Sequence, residues 1–121
     1  MAQEVPVRIS IPNDQNLTLH RYRAVSVGAD GKVVKPDDPL DFVIGILDMD
    51  VRAGGTASVQ VGGVAPTMAG GVFSAGDPIT IDAQSRAVRA VSGNRGFGIA
   101  LESAAGAGEI VAVLLTPVGI V

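Results

Sequence analysis

A Ser-His-Asp relay in this 121-residue chain would have to use His20, because it is the one histidine present. Its setting, Leu17-Thr18-Leu19-His20-Arg21-Tyr22, puts no serine or cysteine beside it, and the segment reads as a polar position on a solvated strand. One histidine and no cysteine leave too few nitrogen or sulfur ligands for zinc. Oxygen ligands are more plentiful. Asp48 and Asp50 share one face of an extended segment, with Asp37, Asp38 and Asp41 nearby, but their spacing is not that of a calcium loop, and a solvated acidic rim accounts for them. As an acid/base pair Asp48 and Asp50 are poorly placed, since an exposed alternating strand neither desolvates two carboxylates nor separates their pKa values.

Three further motifs are weaker. Gly93-Asn94-Arg95-Gly96-Phe97-Gly98 resembles a glycine-rich phosphate loop, yet it leads into a strand and lacks the helix N-terminus that would hold an anion, so a turn is expected. Asn16-Leu17-Thr18 fits a glycosylation sequon, which matters only in a secreted chain. Arg86, Arg89 and Arg95 either line a surface for an acidic partner or are scattered solvated side chains. The expectation is a protein without catalytic residues, cofactor or metal.

The elements that carry these residues are short. Sixteen glycines and seven prolines break up the apolar stretches, and aromatics are only 3% against 47% hydrophobic residues, so strands and turns around a thin Val/Ile/Leu/Ala core are expected. A chain of this length makes one domain or two small halves sharing a core. The net charge of −3 argues against nucleic acid as a partner. No apolar run is long enough for a membrane span, and Met1-Ala2-Gln3-Glu4 lacks the basic region of a signal peptide, so a soluble product of the cytoplasm is expected.

Val5, Val7, Ile9 and Ile11 alternate with Pro6, Arg8 and Ser10, which is strand periodicity, and Pro6 and Pro12 confine the segment to a sheet edge or an extended arm. Residues 1–20 are accordingly set apart from a β domain over 21–121. Within that domain two copies of one pattern are visible, about 22–61 and 76–115. Val25 and Val27 answer to Ile79 and Ile81, 54 positions on; Gly45 answers to Gly98 and Gly55 to Gly108, 53 positions on. The first hairpin turns at Asp30-Gly31, and its counterpart has lost the glycine. Residues 62–77 form the crossover between copies, and Glu102-Ser103-Ala104-Ala105 invites a turn of helix. A mainly β, barrel-like or sandwich domain with an internal pseudo-repeat follows.

The run Phe73-Ser74-Ala75-Gly76-Asp77-Pro78-Ile79-Thr80-Ile81-Asp82, then Phe97-Gly98-Ile99-Ala100-Leu101-Glu102-Ser103-Ala104-Ala105, then Gly108-Glu109 before a last strand, resembles the bacteriophage capsid cement, or decoration, family. The resemblance implies a β-tulip-like domain, as in the phage lambda head decoration protein. It also implies a homotrimer on the outer surface of an expanded icosahedral head, which it clamps against the pressure of packaged DNA. The major capsid protein and further copies of the chain would be its partners, and the virion its location. Gly76, Gly98 and Gly108 would serve tight turns or close packing, with Asp77 capping a turn. Val5, Val7, Ile9 and Ile11 are candidates for pairing with a capsid subunit or neighbouring protomer by strand addition, the alternative being an edge strand of the chain's own sheet. The apolar tail, with Val118, Ile120 and Val121, is expected to pack against the body or a neighbouring subunit. The competing reading is a soluble β-barrel module for a small ligand or carbohydrate, for which the scarcity of aromatic rings is a poor start.

Overall fold

The computed structural model describes residues 7–121. They form nine strands and no helix: β1 (Val7–Pro12), β2 (Ala24–Val27), β3 (Val33–Val34), β4 (Gly45–Leu47), β5 (Thr56–Met68), β6 (Pro78–Ile81), β7 (Ala87–Arg89), β8 (Arg95–Ala100) and β9 (Ile110–Ile120). They join one curled antiparallel sheet in the order β3-β2-β4-β5-β9-β8-β6-β7, with β1 paired to β5.

That order reflects two five-stranded units joined through β5. In the first, β1 lies on the front half of β5, followed by β4, β2 and β3; in the second, the back half of β5 lies on β9, followed by β8, β6 and β7. The registers correspond residue by residue. Ile9↔Val59 and Ile11↔Ala57 in the first unit have the counterparts Ala65↔Val113 and Thr67↔Val111 in the second. Val25↔Gly45 likewise answers to Ile79↔Gly98. Turn bonds repeat too: Gly28 N–H donates to Lys32 O at 2.9 Å, and Asp82 N–H to Arg86 O at 3.0 Å. Residues 7–20 are thus integral to the first unit, and the segment read as a crossover supplies the matching first strand of the second.

Backbone conformation follows the repeat even where residue type does not. Gly31 and Gly76 have φ of 78° and 91°, and the residues at the corresponding places, Ser85 and Tyr22, are the two non-glycine residues with positive φ among the described residues, at 62° and 67°. The hairpin that lost its glycine therefore kept its left-handed turn. Asp82 offsets the strain there, because its Oδ1 accepts N–H bonds from Gln84 and Arg86, both at 2.9 Å.

Each unit has its own apolar core. The first gathers Ile11, Leu17, Val25, Val33, Leu47, Ala57 and Val59. The second is centred on Phe73, Ile79, Ile81, Phe97, Val111 and Val113, and draws in Ala24 and Ile46 from the first unit, which joins the two units. At the junction Gly63 takes φ 79°, and the buried Gln60 side chain donates to the carbonyls of Gly62 at 3.0 Å and Val64 at 2.9 Å. The segment 102–105 is not a turn of helix. Ala104 is held in a two-way backbone bridge with Phe73, while the Glu109 carboxylate accepts the N–H groups of Ala105 and Gly106.

Candidate docking surfaces

None of the residues that invited a catalytic reading is brought together. His20 is buried, not on a solvated strand, and its Nε2 lies 2.8 Å from the Ala24 carbonyl oxygen; burial pushes its pKa below the ordinary value. Asp48 pairs with Arg8 and accepts from Ser58 Oγ at 3.3 Å, whereas Asp50 accepts the Arg21 N–H at 3.1 Å. The Asp41 carboxylate accepts the N–H groups of Asp37 and Asp38, which fixes a loop. Among the described residues no three acidic or histidine side chains are placed to hold a metal ion. Arg86 pairs with Asp82 at 2.9 Å, Arg89 lies 3.8 Å from Asp77, and Arg95 donates to Leu40 O at 3.1 Å, so the three arginines serve separate local contacts.

The apolar surface is more informative. Val5 lies outside the described residues. Of the other β1 positions, Ile11 is committed to the core at 5% exposure, while Val7 and Ile9 are open at 52% and 43%. β1 pairs with β5 along one side, and among the described residues no strand pairs with its other side. Arg8 and its ion pair with Asp48 anchor the strand to the body. Val7 and Ile9 therefore sit beside a row of backbone donors and acceptors available for strand addition.

A second apolar surface forms around Arg95. Its guanidinium lies over the Phe42 ring at 5.2 Å, its side chain bonds Leu40 O, and it pairs across strands with Ile120. Leu40, Phe42, Ile120 and Val121 are all exposed, Phe42 at 68%. The C-terminal tail is hydrogen-bonded to the body. β9 pairs with β8 as far as Ile120, Val121 N–H donates to Asn94 O at 2.8 Å, and Val118 packs on Gly96. Between this surface and the β4–β5 side lies a cleft of about 130 Å3 lined by Phe42, Val43, Phe97, Leu115 and Pro117. It has room for one partner side chain and is below the usual size of a small-molecule pocket.

The turn residues have distinct jobs. Gly76 and Gly108 are left-handed, and Asp77 accepts the Ser74 N–H at 2.9 Å to cap its turn. Gly45 and Gly98 sit in strands at closest approach: an added Cβ would lie 2.2 Å from Gln60 O and 2.6 Å from Leu114 O respectively. Gly55 is not left-handed. Its neighbour Gly54, at φ 87°, occupies the place that Gly108 has in the second unit, and Gly55 instead packs against Val51.

Comparison with known proteins places these surfaces in context. The family model described as phage cement protein matches residues 8–115. Among solved structures, the N base of the head fiber of bacteriophage phi29 superposes with a TM-score of 0.69 at 22% identity, covering 93% of this chain and 95% of that one. That likeness concerns the fold. No curated protein matches the sequence.

Proposed function

Because the chain belongs to the phage cement protein family, we propose that it docks as a homotrimer on the outer surface of an expanded icosahedral phage head and stabilises the shell against its packaged DNA. The observation that carries this reading is the family match, which runs from inside β1 into β9 and so covers both units and the strand with the free edge.

The division of labour follows from the two apolar surfaces. The β1 edge, with Val7 and Ile9, meets the major capsid protein, where backbone pairing supplies affinity and the alternate side chains supply register. The surface around Arg95, with Ile120 and Val121 and with Val118 behind them, meets neighbouring protomers, where an aromatic ring covered by an arginine is a common anchor. Stabilisation then needs no chemistry: a trimer touching several capsid subunits adds contacts across their boundaries, and each bound copy shifts the equilibrium toward the assembled shell.

Co-sedimentation with expanded heads of the parent phage tests the reading. Saturable binding at a fixed ratio to the major capsid protein, with greater resistance of the heads to heat, is the expected result. A folded chain that ignores expanded heads at micromolar concentration would refute it.

A further inference from the structure

We propose that the cleft between the segment 16–37 of the first unit and the β6–β7 turn of the second binds a carboxylate carried by a partner polypeptide, an acidic side chain followed by an apolar one. The cleft has a volume of about 530 Å3, and its walls include Leu19, His20, Arg23, Lys35, Asp37 and Gln84.

Charge is the first argument. The chain carries nine Lys and Arg against twelve Asp and Glu, yet this one concavity collects two cations and the only histidine. Among the described residues Arg23 and Lys35, like Arg21, Arg52 and Arg95, have no carboxylate within ion-pair reach, but only Arg23 and Lys35 share one cleft. Asp37 lies on the same wall and pairs with neither. The fields of Lys35 and Arg23 converge on the buried His20, where both add to the effect of burial in disfavouring the imidazolium.

Unmet hydrogen bonding is the second. The Arg23 guanidinium donates one bond, from Nη1 to Gln84 O at 3.3 Å, and its Nε is buried with no acceptor. Arg23 is half-buried: its Nε–H is withdrawn from water without an acceptor while the outer nitrogens stay accessible, so an incoming oxyanion meets a guanidinium with most of its donors unmet. Leu19 supplies the third argument. It lines the same cleft and is 86% exposed, so an apolar side chain next to the carboxylate would have a surface to cover. A free inorganic anion would leave that surface bare.

The inference does not depend on shell binding, and the isolated full-length chain can test it. The probe is a blocked Ala-Asp-Leu-Ala tetrapeptide titrated into isotope-labelled protein, following the Arg23 Nε–H resonance and the Tm. A saturable shift with a rise in Tm is expected, together with at least about tenfold weaker binding in Lys35→Gln, a change at an exposed position. The Asn-for-Asp peptide should leave both readouts unmoved. No saturation at peptide concentrations on the order of 10 mM, or equal binding of the Asn peptide, would overturn the assignment. The same shift and Tm rise from inorganic phosphate would also overturn it, since the cleft would then be a bare oxyanion site.

Discussion

A methyl group on Gly45 would lie 2.2 Å from the Gln60 carbonyl oxygen, and one on Gly98 would lie 2.6 Å from that of Leu114. Both obstacles are backbone in a paired neighbouring strand, so neither can step aside cheaply. Gly45→Ala and Gly98→Ala should each destabilise the chain by about 3 kcal/mol, at the upper end of overpacking costs. Gly106→Ala, with nothing within 4 Å of the added Cβ, should be neutral or slightly stabilising. Thermal or urea unfolding of the three variants decides this. His20 makes a pH prediction. Its folded pKa is lowered from 6.5, so the folded chain binds fewer protons there than the unfolded chain. Its contribution is therefore full above that value and declines as the pH falls below it. His20→Gln, which keeps a donor for Ala24 O, should lose less stability than wild type between about pH 7 and about pH 5. The sequence revealed the glycine pairs as spacing but not their purpose, because close approach depends on strands distant in sequence. It misplaced His20 for a related reason: local polarity around residue 20 gave no sign that the fold would bury the ring.

At the scale of elements, β1 carries two separable roles. Ile11 belongs to the core and Ile9 faces outward. Ile11→Ala should cost about 2 to 4 kcal/mol of stability, as other large-to-small core changes do. The double change Val7→Lys and Ile9→Lys should leave the unfolding midpoint nearly unchanged while abolishing capture by expanded heads, read by unfolding and by co-sedimentation of the same variant. Deleting the whole strand would be a poorer test, since it removes a core residue and the Arg8–Asp48 pair together. The alternation of Val5 to Ile11 was enough to read strand periodicity, and Pro6 and Pro12 enough to confine the segment to a sheet edge or an extended arm. Its counterpart in the second unit was not legible, because the match between β1 and the back half of β5 lies in hydrogen-bond register while the two sequences, Arg8-Ile9-Ser10-Ile11 and Val64-Ala65-Pro66-Thr67, share no residue type.

For the whole molecule, the two-unit plan was visible where it is written in glycines and branched residues, at Val25 and Ile79 or Gly45 and Gly98. It was hidden where Tyr22 and Ser85 adopt the left-handed conformations of Gly76 and Gly31. The mainly β class and the cement family were legible from composition and from the second unit's motifs. Which surface meets the shell and which meets a sister chain was not, since outward apolar residues carry no label for their partners. Cryo-electron microscopy of expanded heads of the parent phage, with and without the added chain, tests the central proposal most directly. The account predicts threefold protrusions on the outer surface at threefold and quasi-threefold positions, with the β1 edge against the major capsid protein and Ile120 and Val121 toward the trimer axis. Heads that show no added density, or density from isolated single copies away from those positions, would contradict it.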